Sequence, residues 1–122
     1  MKIIDLKTKM RVFQKLANID MAVSVAWKIQ KNIAVIEKDF QIAEKLKDDL
    51  IRKYGEDDGK GNIVVLDEDK KLLVVDEINK LDNTETENEI VFTKIKISEL
   101  GNIKISPADL YLLNDVFTED DE

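Results

Sequence analysis

Cysteine and histidine are both missing from the 122 residues. Without cysteine there is no disulfide, no thiolate metal site and no cysteine nucleophile. Without histidine the commonest general base at neutral pH is gone, and with it the Ser-His-Asp triad and nearly every zinc or haem site. Long apolar runs are missing too: no stretch approaches the ~18 uncharged apolar residues of a membrane span. The first ten residues, MKIIDLKTKM, carry Asp5 where a signal peptide needs an apolar run. The expectations are no membrane association and residence in the cytoplasm of the cell that makes the chain. No catalytic residue, cofactor or metal ligand is expected, and an enzyme is the weakest class. Only a carboxylate-held Mg²⁺ would escape these exclusions.

Charge is plentiful and unbalanced. Acidic residues number 26 against 19 basic ones, a net charge of -7. Nucleic-acid affinity comes largely from Lys and Arg displacing counterions, so direct DNA or RNA binding is disfavoured. The acidity fits ordinary solubility or mimicry of a nucleic acid towards a basic partner. At 43% hydrophobic content the length suits one domain over 1–122 and not two separate cores.

The strongest pattern lies between residues 20 and 54. Ala22, Ala26, Ile29, Ile33, Ile36, Phe40, Ala43, Lys47, Leu50 and Tyr54 form a heptad-like seam with one lysine in it. A second row of Val25, Trp27, Val35, Ile42, Leu46 and Ile51 widens the apolar face. Such a helix would be roughly 50 Å long, more than a compact domain of this size needs. Upstream, Met10, Phe13, Leu16 and Ala17 suit a short helix over 6–17, with Asp20 placed to cap the long one. A helical hairpin or an elbow follows from the break at 18–20.

Gly55 is placed for a left-handed helix end. Beyond it, two β-branched apolar runs flank Asp67-Glu68-Asp69-Lys70, which predicts a β-hairpin over 62–75. Residues 76–88 read as weakly helical or loop. Alternation over 89–97 predicts a strand. Ser106-Pro107-Ala108-Asp109 is a helix start, predicting a helix over 106–117 with a frayed acidic tail over 118–122. The fold class expected is α+β: a long helix or helical hairpin, prefoldin-like or coiled-coil in character, with a small antiparallel sheet and a short C-terminal helix.

Two acidic stretches invite chemistry and lose to plainer readings. Residues 56–62 place glycine where a calcium loop needs oxygen ligands, so a solvated turn is expected. Asp67, Glu68 and Asp69 read as a charged turn and not as an acid-base pair. Trp27, the only tryptophan, is either a core residue or an interface anchor. Lys47 reads as a snorkelling flank. Together, Trp27, Ile29, Ile33, Ile36 and Phe40 are the candidate interface residues.

Leu50-Ile51-Arg52-Lys53-Tyr54-Gly55-Glu56-Asp57-Asp58-Gly59-Lys60-Gly61-Asn62, followed by Ile97-Ser98-Glu99-Leu100 and Ile105-Ser106-Pro107-Ala108-Asp109-Leu110, resembles a family of short uncharacterised proteins of tailed phages and prophages of low-GC Gram-positive bacteria. The resemblance covers the chain from about Asn18 onward. It implies a phage setting and transfers no catalytic residue. The expected function is a non-enzymatic phage protein that binds and modulates a host or defence protein, its partner unidentified. The alternative is a structural or assembly homo-oligomer. Exposure of Ile29, Ile33, Ile36 and Phe40 would cost ~1.5 to 3 kcal/mol each, so self-association along that seam is expected.

Overall fold

A computed structural model describes residues 1–119. Two helices, α1 (Ile3–Ala17) and α2 (Val23–Tyr54), make a helical hairpin. They run antiparallel: Ile3, at the start of α1, lines the same cavity as Ala43, far along α2. Leu6, Met10, Val12, Phe13 and Leu16 of α1 are buried with Val25, Ile29, Ile36 and Ala43 of α2. The long helix begins three residues later than predicted. Asp20 is not its cap; Ala22 holds that place, with no side-chain hydrogen bond.

At its far end α2 stops at Gly55, which is not left-handed. Its φ is -92° and ψ 170°, an extended residue. Glycine is needed there for space, because a Cβ would meet the Ile51 carbonyl oxygen and the Ile63 Cγ2, each at 2.5 Å. That crowding is the turn into β1 (Glu56–Asp57), which pairs antiparallel with β2 (Ile63–Val64). The loop between them uses its own acids. Asp57 accepts from the Gly59 N-H at 2.8 Å, and Asp58 from the N-H groups of Lys60 at 2.7 Å and Asn62 at 3.2 Å.

The predicted hairpin over 62–75 ends after that short strand, and Glu68–Asp82 is a helix, α3. Asp67 caps it by accepting the Lys70 N-H at 3.0 Å, and Glu68 and Asp69 complement the positive end of the helix dipole. The acids expected to turn a hairpin thus start a helix. Val74, Ile78 and Leu81 follow helical spacing and are buried or half-buried, and burial at that period overrides the β preference of the valines. Helix α3 returns antiparallel along α2, with Glu77 and Leu81 lining one groove with Leu50, Asp49 and Leu46.

Residues 86–99 then run back along α2 as an extended strap. Thr86 and Asn88 share a cavity with Asp39 and Ile42, Thr93 meets Asn32, and Glu99 meets Lys28. The strand predicted over 89–97 reduces to β3 (Ile95–Lys96), because most of the strap lies on a helix that offers no backbone ladder. A 3-10 turn (Ile97–Leu100) leads to α4 (Pro107–Leu112). Ser106 caps α4 by accepting the Asp109 N-H at 3.1 Å, as its sequence predicts. The helix ends well before 117: the chain turns at Leu113, whose carbonyl accepts from Val116 and Phe117. This turn lets β4 (Phe117–Thr118) pair in parallel with β3. Of the tail expected over 118–122, Thr118 is in β4, and 120–122 lie outside the described residues.

Phe92, Ile95, Leu100, Leu113, Val116 and Phe117 close the core over the hairpin. Four lysines of the hairpin are matched by acids from the second half of the chain: Lys7 with Asp82 (2.8 Å), Lys9 with Asp115 (3.0 Å), Lys15 with Asp109 (2.7 Å) and Lys28 with Glu99 (2.7 Å). The clamp between strap and hairpin is Asn32, which is 0% exposed. Its amide nitrogen donates to the Thr93 carbonyl at 3.0 Å and its amide oxygen accepts the Thr93 N-H at 2.7 Å. No described helix is long and apolar enough to cross a membrane.

Candidate interaction surface

Of the five residues singled out in the sequence, the fold turns one fully outward. Ile29 and Ile36 belong to the chain's own core, and Ile33 and Phe40 are half-buried against it. These four side chains therefore pack within the chain, against α1 and residues 92–117, and do not form the exposed apolar stripe that the sequence suggests. Trp27 lies nine residues from Ile36. At about 100° per residue that is a half-turn beyond two full turns, so the indole points away from the core. It is 66% exposed, and Val23, one turn earlier, is 86% exposed.

The ammonium of Lys31 sits over the Trp27 ring, 5.8 Å from its centroid. A cation there is attracted by the electron-rich face of the indole and holds the ring in one orientation. Residues 21–36 contain no Asp or Glu; the first acid of α2 is Glu37. Lys28, on the neighbouring side, is engaged by Glu99, whose two carboxylate oxygens accept from it at 3.0 and 2.7 Å, while the Lys96 N-H adds a third bond at 3.0 Å.

The hydrogen bond from Lys28, followed by that from the Lys96 backbone, holds the Glu99 carboxyl below its ordinary value of 4.5. Folding therefore favours the carboxylate. Its contribution to stability is complete above pH 4.5 and fades as pH falls through the lowered folded value. Urea unfolding of wild type and Glu99→Gln across pH should show a gap at neutral pH that closes below 4.5. A gap that widened on acidification would contradict this assignment.

A second apolar surface lies where α3 meets α2. Leu46, Leu50 and Leu81 floor a groove of about 390 Å³ rimmed by Asp49, Lys53, Glu77 and Lys80. A neighbouring cavity of about 320 Å³ shares Leu46, Leu81 and Thr84 and adds Ile42 and Ile3. On its outward side α3 exposes Leu72, Leu73 and Val75. This surface is hidden in the sequence because residues 68–75, the first half of α3, read as a hairpin while 76–82 read as weakly helical or loop; the Asp67 cap and the Val74-Ile78-Leu81 spacing are the signals that mark one helix. Among the described residues no group of three or more acids is placed to hold a metal ion.

No protein family, curated protein or solved structure matches the chain.

Proposed function

We propose that this chain is a non-enzymatic binding protein of phage origin that acts by occupying a surface of a host or defence protein. The observation that carries this is Trp27. A lone tryptophan 66% exposed, on a rigid helix and held by a lysine over its ring, is the kind of side chain that dominates interface energetics. The phage setting comes from the sequence resemblance.

Trp27→Ala should leave the fold intact, with a urea midpoint corresponding to within about 0.5 kcal/mol of wild type, since exposed side chains contribute little. Loss of a buried anchor typically costs more than ~2 kcal/mol of binding, or about thirtyfold in affinity. Affinity capture from a lysate of a low-GC Gram-positive host should therefore retain a specific protein with wild type and lose it with Trp27→Ala. An identical set of captured proteins from both would refute the assignment. A second reading, a homo-oligomer of prefoldin-like or coiled-coil character serving phage assembly, is favoured by the length of α2, whose outward side neither α1 nor α3 covers.

A further inference from the structure

Lys31, Lys38, Lys45 and Arg52 recur every seven residues along the outward side of α2. The last two are neutralised by their own helix: Lys45 by Asp49 at 3.1 Å and Arg52 by Asp48 at 3.5 Å. Lys31 and Lys38 have no acid three or four residues away on either side, and among the described residues neither pairs with a carboxylate. Between them lies exposed Ala34, a shallow spot flanked by two ammonium groups that no carboxylate neutralises among the described residues. The spacing Lys31, Ala34, Lys38 is i, i+3, i+7, so the two charges stand about 10 Å apart on one face.

The outward side of α3 carries the complementary pattern at the same spacing. Asp69, Leu72 and Asp76 are i, i+3 and i+7, and all three are exposed, Leu72 at 69%. A protruding leucine between two carboxylates matches a small alanine between two ammonium groups. Leu73 and Val75 widen the apolar ridge on either side of Leu72. Asp76 is shared with Lys80 at 3.0 Å, but Lys80 also has Glu77 at 3.5 Å and keeps that partner if Asp76 is engaged elsewhere.

We infer that the Lys31-Ala34-Lys38 face of α2 docks the Asp69-Leu72-Asp76 face of α3 in a second copy of this chain. The occupant is a second copy because the chain itself supplies the matching charges at the matching interval. Exposed ion pairs are weak singly, so the carboxylates set the register and exclude wrong alignments while Leu72, Leu73 and Val75 supply the apolar contact. Made reciprocally, the contact is formed twice between two copies. Trp27 stands one turn outside it, and Lys31, whose ammonium sits over the indole at 5.8 Å, borders both surfaces.

The test is sedimentation of the full chain in the micromolar range, with circular dichroism confirming the fold of each variant. Wild type should associate. Lys31→Glu/Lys38→Glu and, separately, Asp69→Lys/Asp76→Lys should each weaken association by about tenfold or more. An equimolar mixture of the two variants should restore it, because each then meets its opposite charge in the other. A monomeric wild type, association indifferent to both charge reversals, or a mixture that stays dissociated would overturn the inference. Asp69→Lys/Asp76→Lys leaves the Lys31–Trp27 contact untouched and should keep Trp27-dependent capture while losing association, so failure of this contact and failure of the partner binding are read separately.

Discussion

Asn32→Ala is expected to lower stability by about 3 kcal/mol, because it leaves both backbone groups of Thr93 without partners in a site closed to water. Each unsatisfied buried group costs about 1 to 3 kcal/mol. The side chain is 0% exposed and makes two bonds of 3.0 and 2.7 Å, so water cannot replace it without opening the strap. Asn32→Leu should do no better despite its volume, since it fills the space and still strands the same two groups. The urea midpoint should fall with little change in slope if the fold persists. A loss below about 1 kcal/mol would mean that the strap relaxes to find other partners.

Phe13→Ala should be the most damaging single truncation. The ring is 0% exposed and lies 5.7 Å from that of Phe92 at a tilt of 55°, a geometry that adds attraction beyond burial. Removing a buried Phe costs about 3 to 5 kcal/mol, against a total of about 5 to 15 kcal/mol for a typical domain. Thermal unfolding followed by circular dichroism should therefore show a partly unfolded protein at moderate temperature. With Phe92→Ala added, the combined loss should be smaller than the sum, because the two rings share one contact. Strict additivity would show that the contact adds nothing of its own.

Both sites grip neighbouring residues of the strap, and neither grip is visible in the sequence. The seam of α2 was legible because helical period and length mark it directly, and so was the start of α4 at Ser106 and Pro107. What covers that seam was not legible: Phe92, Ile95 and Val116 lie more than fifty residues along the chain from Ile36. Without them the isoleucines looked like surplus apolar surface awaiting another copy. The first half of α3 was lost because Leu72 to Val75 favours strand locally, whereas packing of Val74, Ile78 and Leu81 decides its form. Trp27 stood open between core and interface, and its angular distance from Ile36 takes it out of the core. Lys31 and Lys38, with no acid three or four residues away, were in plain view in an acidic chain, but the matching spacing of Asp69 and Asp76 emerges only once α3 turns them outward.

The Asn32 amide also holds alignment once it is set. It has one acceptor and one donor group held in the geometry of a peptide unit, and so engages a single strap residue at a time. Sliding the strap by one position in either direction would bring Lys94 or Lys96 into the closed site that holds Ile95, and would replace Phe92 against Phe13 by Val91 or Thr93. Burying a lysine without a partner is heavily disfavoured. The apolar sockets therefore choose the register and the polar clamp locks it, so an extended segment lying on a helix, with almost no ladder of its own, still has one place to stop.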